Sequence, residues 1–590
     1  MKKKFLSVIF VTALIFQLIV PAFASEQKTI ECEFYPAISE GLNYTDSCEI
    51  PQYAGEMLKT ASIMPDSFDL RDSGAVTSIK RQGYSSACWS FAACASLESN
   101  AVIKGTATAQ ETDFSEAHLI WFAKNPISSD PNDNSCSDGE NSSSPYEEGS
   151  NMPAVVTALA RRSGIAAEKD YPFYPYELSK MGNYPESSRY DSGSGYVFDS
   201  LYQYSNVNEV KSAIMNRGEV VALYYHDDGY YNETTGSYCY TDSRENESAK
   251  VNHAITVVGW DDTYSAENFA ENHKPASDGA WLCRNSWGAE WGNDGFFWIS
   301  YEDTTLAGFC SFIVTDENSC DYSYSYNGKA PGGSVAFTGT ATIANAFTAK
   351  RNETVKSVSF WVKQTGLEAE INIYTDVSAT GSPFTSSPAY TYSFTTDKIG
   401  YLNFDLDVPV TVDKGERFTA AITFTAPDSS GKIYIPFESG SSYSANNGES
   451  FVVMSNTVYD AHKNISNVEN VYINVQTSCI HSLAEQGRTA STCLEHGSCI
   501  YVCEQCGKTF AQELPLSEHS FGDWVTVTIP TAVNEGLRER TCTVCGHKES
   551  ETEPMLSSNG HKMIYIDDLI EMIFEKIILS LKLLSSIRRR

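Results

Sequence analysis

The sequence predicts an α+β chain built from separate modules, on three observations. Residues 63–318 mix helical and strand periodicities and carry most of the Trp-rich motifs. Residues 319–477 alternate apolar and polar side chains with period two, the pattern of half-buried strands. Residues 478–554 hold Cys and His in a unit that recurs after 38 or 39 residues. At 590 residues and roughly 150 per domain, several folded units are expected.

Composition narrows the class. The chain has 42 Lys and Arg against 75 Asp and Glu, a net charge of −33. So acidic a balance excludes a nucleic-acid binder, which needs clustered cations to meet phosphates. A hydrophobic content of 42% with 12% aromatics excludes a mostly disordered chain. Sixteen cysteines in 590 residues are too few for a disulfide scaffold throughout.

Residues 1–24 read as a signal peptide. Lys2, Lys3 and Lys4 precede an apolar run, Phe5 to Val20, and Ala22-Phe23-Ala24 supplies small residues at a cleavage site. The alternative is a retained anchor, for which the run is short. A secreted protein, either free or held at the cell surface, is therefore expected. Residues 25–62 form a short N-terminal or pro segment.

Residues 63–318 contain the chemistry. In Gln82-Gly83-Tyr84-Ser85-Ser86-Ala87-Cys88-Trp89-Ser90-Phe91-Ala92, the apolar spacing after Cys88 predicts a helix starting at or beside it. A thiol there meets unpaired N–H groups and the positive end of the macrodipole, which favour thiolate. Cys94, one and a half turns on, reads as a buried small hydrophobe. Asn252-His253-Ala254 opens a β-branched strand, and Asn285-Ser286-Trp287-Gly288 closes another apolar run. Cys, then His, then Asn is the arrangement for a thiol nucleophile with a general base and an orienting amide. Gln82 would offer an N–H to the developing oxyanion. His118 and His226 lie in no comparable motif.

These segments resemble the papain family of cysteine peptidases. Gln82 matches its oxyanion Gln, Ala87-Cys88-Trp89 its nucleophile motif, Asn252-His253-Ala254 its histidine motif and Asn285-Ser286-Trp287-Gly288 its asparagine motif. Weaker echoes are Phe68-Asp69-Leu70-Arg71, Phe114-Ser115-Glu116-Ala117-His118-Leu119 and Glu168-Lys169-Asp170-Tyr171-Pro172. The resemblance implies a papain-like α+β domain of two subdomains, split by the active-site cleft. It implies Trp287 covering a His253–Asn285 hydrogen bond, polypeptide substrates and no cofactor for catalysis. The departures are specific. Ser85-Ser86 replace the usual Cys-Gly, and Gly149-Ser150 lacks the Gly-Gly of the substrate-backbone segment. Asp261–Asp278 reads as a lengthened surface loop, and residues 25–62 are short for the family's propeptide. The alternative is an inert peptidase fold used for surface adhesion.

Residues 319–477 predict an antiparallel β-sandwich. Val358, Phe360 and Val362, Ile371 and Ile373, Leu402, Phe404 and Leu406, Phe418, Ala420, Ile422 and Phe424, then Val471, Ile473 and Val475 form its apolar sets. The stretch resembles, less specifically, a lectin-like domain that follows the peptidase domain in some bacterial papain-family proteins. That implies a glycan or cell-wall ligand; a folded spacer packed on the peptidase is the alternative. In residues 478–554, Cys503-Glu504-Gln505-Cys506-Gly507 recurs as Cys542-Thr543-Val544-Cys545-Gly546. Two structural zinc sites of zinc-ribbon type are expected, His481 with Cys493, Cys503 and Cys506, and His519 with Cys542, Cys545 and His547. Ala532 stands where the first copy has Cys493. Disulfide pairing is the alternative in an exported protein. Residues 555–590 carry an amphipathic helical pattern ending in Arg588-Arg589-Arg590. Contact with an anionic membrane surface and packing on protein are equally open for it.

Overall fold

The computed structural model describes residues 64–125, 142–162, 165–191, 193–241, 251–439, 445–557 and 570–578, with the short stretches 22–23 and 34–36. The apolar run and Lys cluster expected as a signal peptide, and nearly all of residues 25–62, lie outside the described residues. Two compact units are present, one ending at Ile480 and the other starting at His481.

The first unit opens with an α+β domain. Helix α1 (Cys88–Ile103) is buried from Cys88 to Ala101. A helix buried on all sides must satisfy its polar groups internally. Ser96 Oγ donates to the Glu219 carbonyl at 2.8 Å, Ser99 Oγ to that of Ala75 at 2.8 Å, and Asn100 Nδ2 to that of Arg217 at 2.9 Å. Its small side chains, Ala92, Ala93 and Ala95, let neighbours approach closely. Helix α2 (Glu116–Lys124) is capped by Ser115, whose hydroxyl accepts from the His118 N–H at 3.0 Å. Helix α3 (Met152–Ala160) is capped likewise by Asn151. These two pack with α1 over one apolar cluster that includes Trp89, Phe91, Ile120, Val155 and Leu159.

Facing the helices is an antiparallel sheet. Strand β1 (Ser67–Asp69) pairs with the far end of the long central strand. The longer strands are β2 (Tyr196–Gln203), β3 (Val220–Tyr224), β4 (His253–Asp261), β5 (Ala280–Arg284), β6 (Phe296–Ser300) and β7 (Ala307–Asp316), and two-residue strands at 231–232 and 237–238 extend the sheet beyond β6, the second of them pairing parallel with it. Their spatial order is β2-β7-β3-β4-β5-β6. His253 to Trp260 are all buried, so β4 is covered on both faces. The stretch read as a lengthened loop after β4 contains two short 3₁₀ turns, Ala266–Asn268 and Glu271–His273, pinned by buried Phe269.

The β-sandwich follows. Its strands include Glu353–Val362, Ile399–Val412 and Ile473–Cys479 on one side, and Thr340–Thr348, Glu368–Tyr374 and Arg417–Thr425 on the other. The apolar sets expected from the alternation meet in one core, with Phe404 packed at its margin. The sandwich is also continuous with the sheet of the first domain. Ile399, Gly400 and Tyr401 pair with Gln203, Tyr202 and Leu201 of β2. A Cβ on Gly400 would stand 1.9 Å from the Leu201 carbonyl oxygen, so this approach requires glycine. Trp361, Tyr401 and Tyr472 turn away from the sandwich core into the cluster that holds α1.

The second unit holds two three-stranded antiparallel modules, Leu483–Thr489, Gly497–Cys503 and Thr509–Leu514, then Val525–Thr528, Gly536–Thr541 and Lys548–Glu553. Residues 570–578 are helical, and Ile570, Ile573, Phe574 and Ile577 are exposed. The remainder of the expected C-terminal helix lies outside the described residues. Among the described residues no helix is long and apolar enough to cross a membrane.

Candidate active site

Register brings two of the expected residues together. β4 and β5 run antiparallel with Thr256 opposite Arg284. Asn285, the next residue, therefore falls beside the start of β4, where His253 stands. Arg284 is anchored immediately upstream: its guanidinium meets Glu219 at 2.7 Å, both buried, and Thr256 also bonds Glu219. This buried ion pair holds the end of β5 in place.

His253 Nε2 and Asn285 Oδ1 are 2.8 Å apart. Asn285 Oδ1 also accepts the Ser286 N–H at 2.8 Å, which fixes the amide orientation and makes Nε2 the donor. The neutral ring thus keeps its lone pair on Nδ1. Trp287 lies over the ring at 4.7 Å between centroids, tilted by 31°, shielding the hydrogen bond from water.

Cys88 begins α1 and is buried, and the N–H groups of Ala254 and Trp89 point at its sulfur. The Ala254 contact sets the start of β4 against the thiol. Burial pushes the Cys88 thiol up to about 11, with these N–H groups opposing it. Burial likewise holds the His253 imidazolium down to about 4, opposed by the Asn285 bond. The helix-terminus argument alone had favoured thiolate. Here desolvation outweighs it, so neither group carries a lone charge near neutrality.

Gln82 is held from both ends of its amide. Nε2 donates to the Ser85 carbonyl at 2.9 Å, and Oε1 accepts from Ser286 Oγ at 2.6 Å. One Nε2 hydrogen is left for a further acceptor. Ser85 and Ser86 replace the expected Cys-Gly with hydrogen bonds: Ser85 Oγ donates to the Gln82 carbonyl at 2.8 Å, and the Ser86 N–H to that of Tyr146 at 3.2 Å. The turn depends on Gly83, at φ +58°, where a Cβ would stand 2.0 Å from the Pro175 carbonyl oxygen. The Gly149-Ser150 segment lies beside the helix start, tied by Trp89 Nε1 to the Glu148 carbonyl at 3.4 Å.

Two participants escape the sequence argument. Ser286 joins Gln82 to Asn285, and its carbonyl also accepts the Gln82 N–H at 2.8 Å. His226 packs edge-on against Trp287 at 4.7 Å and exchanges bonds with the Asn252 side chain. No motif marks His226; only its place just past β3, opposite the start of β4, would have flagged it. His118 is buried in α2 and bonds the Ser188 carbonyl, a structural role. His273 lies on the Tyr230 ring and bonds Thr241, away from this cluster.

Within residues 478–554, the Cys and His side chains cluster differently from the expected zinc sets. The expected sets pair His481 with Cys493, and His519 with His547. Instead Cys479, His481, Cys503 and Cys506 form one group, and Cys493, His519, Cys542 and Cys545 the other. Cys493 leaves its own module's group, and His547 is excluded, its ring stacked on His519 at 4.5 Å. The cause is the turn around Cys493, which folds onto the start of the second module.

Comparison with known proteins accords with this architecture. Residues 64–315 match the family model for papain family cysteine proteases, and residues 322–477 that for a lectin like domain. The chain therefore carries a papain-family cysteine peptidase domain followed by a lectin-like domain, and it is a cysteine-type peptidase. Such peptidases need no cofactor. Macrodontain-1 of Ananas macrodontes is 24% identical over 255 residues, 43% of this chain and 96% of that protein. A cysteine protease of Blomia tropicalis is 27% identical over 276 residues, 46% of this chain and 72% of that one. A solved structure of the cysteine protease and lectin-like domains of Cwp84, a surface layer associated protein of Clostridium difficile, superposes with a TM-score of 0.58 at 26% identity. It covers 72% of this chain and 91% of that one. A second Cwp84 structure, after propeptide cleavage, gives 0.59 at 27% identity, covering 70% and 99%.

Proposed function

We propose that the chain is an exported endopeptidase in which Cys88, His253, Asn285 and Gln82 perform peptide hydrolysis. The observation that carries this reading is the 2.8 Å His253–Asn285 bond under Trp287, beside the thiol at the start of α1. His253 Nδ1 takes the Cys88 proton as sulfur attacks the substrate carbonyl carbon. The oxyanion receives the Gln82 Nε2–H and the Cys88 N–H. The imidazolium then protonates the leaving amine, leaving an acyl thioester. Water, deprotonated by the same imidazole, hydrolyses the thioester and returns the thiol. Asn285 holds the ring in the tautomer both steps need. The Tyr146–Ser150 segment borders the cleft on the substrate-backbone side.

The lectin-like domain serves attachment to a cell-surface glycan or cell-wall ligand. Its sheet continuity with the peptidase favours a fixed placement of the cleft relative to that surface. Likeness to a surface layer associated protein supports export and surface residence. The two Cys/His groups each hold a structural zinc ion.

The test compares fluorogenic-peptide hydrolysis by the full chain with its Cys88→Ala variant under mild reduction. Hydrolysis by the first alone is expected. Equal hydrolysis by both would remove Cys88 from the reaction.

A further inference from the structure

We propose that the second zinc ion is shared between the two C-terminal modules, with Cys493 of the first module completing the site of the second. This rests on the zinc reading given above and specifies which residues bind and what the ion joins.

The two modules share one backbone plan. In the first, the Cys503 N–H donates to the Lys508 carbonyl at 2.9 Å, and the Gly507 N–H to the Cys503 carbonyl at 2.8 Å. In the second, Cys542 bonds His547 at 2.8 Å, and Gly546 bonds Cys542 at 3.0 Å. Gly507 and Gly546 both have positive φ, +73° and +75°, which closes each Cys-x-x-Cys turn. The opposite turn repeats as well. Thr492 N–H to Glu495 carbonyl, 2.9 Å, is matched by Thr531 to Asn534, 2.8 Å; Ser517 to Thr492, 3.0 Å, is matched by Leu556 to Thr531, 2.9 Å. Every partner moves by 39 residues.

Within that plan two positions differ. Ser517, two residues before His519, stands where Cys479 precedes His481, so the second module lacks a cysteine just upstream of its histidine. Ala532 stands where the first module has Cys493. The Ser517–Thr492 bond carries the chain back across the Cys493 turn immediately before His519, delivering Cys493 to the next module. Its sulfur lies 3.6 Å from Cys542 Sγ, and Cys545 Sγ lies 3.2 Å from His519 Nδ1. Zinc with sulfur at ~2.3 Å and nitrogen at ~2.0–2.1 Å has tetrahedral edges of about 3.8 Å between sulfurs and about 3.5 Å from sulfur to nitrogen. A disulfide would bring sulfurs to about 2.05 Å. The four ligand atoms all lie within 4.8 Å of one another. The ion therefore staples module to module, and Ala532 ends the series, since a second handover needs a cysteine there.

The full chain with Cys88→Ala, which does not digest itself, is reduced, loaded with zinc and freed of excess. Two zinc ions per chain are expected. Adding Cys493→Ala should weaken one ion at least about 100-fold in chelator competition, whereas adding His547→Ala should leave both unchanged. Zinc-free chain oxidised with a thiol-specific diazene oxidant and mapped by mass spectrometry should join Cys493 to Cys542 or Cys545. No zinc in the full chain would overturn the zinc reading and the staple with it. Two ions with unchanged affinity in the Cys493→Ala variant, or a Cys493 link to Cys503 or Cys506, would overturn the staple alone.

Discussion

Gln82 and Ser286 show how far the candidate site depends on hydrogen-bond bookkeeping at single residues. The amide of Gln82 is oriented by Ser85 at one end and Ser286 at the other, which aims its remaining N–H rather than leaving it to rotate. Gln82→Ala is therefore expected to lower kcat about 100-fold with a small change in KM, since an oxyanion donor acts in the transition state. Steady-state kinetics on one peptide check this, and a loss confined to KM would contradict it. Gln82, Cys88, His253 and Asn285 were legible in the sequence because each sits in a short motif whose chemistry names it. Ser286 was visible only as a motif letter, and His226 was set aside for want of a motif, because the contacts that tie them to Gln82 and Trp287 join residues distant in sequence.

At the scale of elements, the apolar alternation of the sandwich was legible since each strand presents one face to a single core. The opposite face was not. Trp361, Tyr401 and Tyr472 have the same composition as solvent-facing aromatics, and their partners belong to the preceding domain. The regrouped cysteines were hidden for a related reason. An internal repeat invites each copy to be closed on itself, whereas the turn at Thr492 and Ser517 crosses between copies. The junction of the sandwich with β2 yields a direct expectation. Gly400→Val places carbon into the Leu201 carbonyl at a φ of +146°. It should destabilise the first unit by about 2 kcal/mol or more, read as a lowered denaturation midpoint. An unchanged midpoint would mean that the sheet continuity contributes nothing to stability.

For the molecule as a whole, acidity and buried histidines set the response to pH. His118 is held down to about 4 by burial, against about 6.5 in the unfolded chain. Above pH 6.5 both states leave it neutral. As pH falls from 6.5 toward 4 the unfolded chain takes the proton first, so stability is lost across that window. The loss from this residue reaches about 3 kcal/mol near pH 4. His118→Gln keeps a donor for the Ser188 carbonyl without titrating, so the wild-type and variant stability curves should converge as pH falls from 7 to 4. Parallel curves would show that His118 does not carry the effect.

The central claim is that Cys88 becomes nucleophilic by passing its proton to His253. The rate of Cys88 alkylation by iodoacetamide, followed by mass spectrometry from pH 4 to 11, tests it most directly. With the thiol alone at about 11 and the imidazole alone at about 4, the pair exchanges its proton without net charge change. Because that exchange is electrically neutral, the ion pair adds a pH-independent contribution to the rate, so the intact chain should react faster than the His253→Ala variant near neutral pH and climb less steeply there. The His253→Ala variant should follow lone thiolate, its rate climbing about tenfold per pH unit toward about 11. Superimposable profiles for the two proteins would mean that His253 does not activate the thiol.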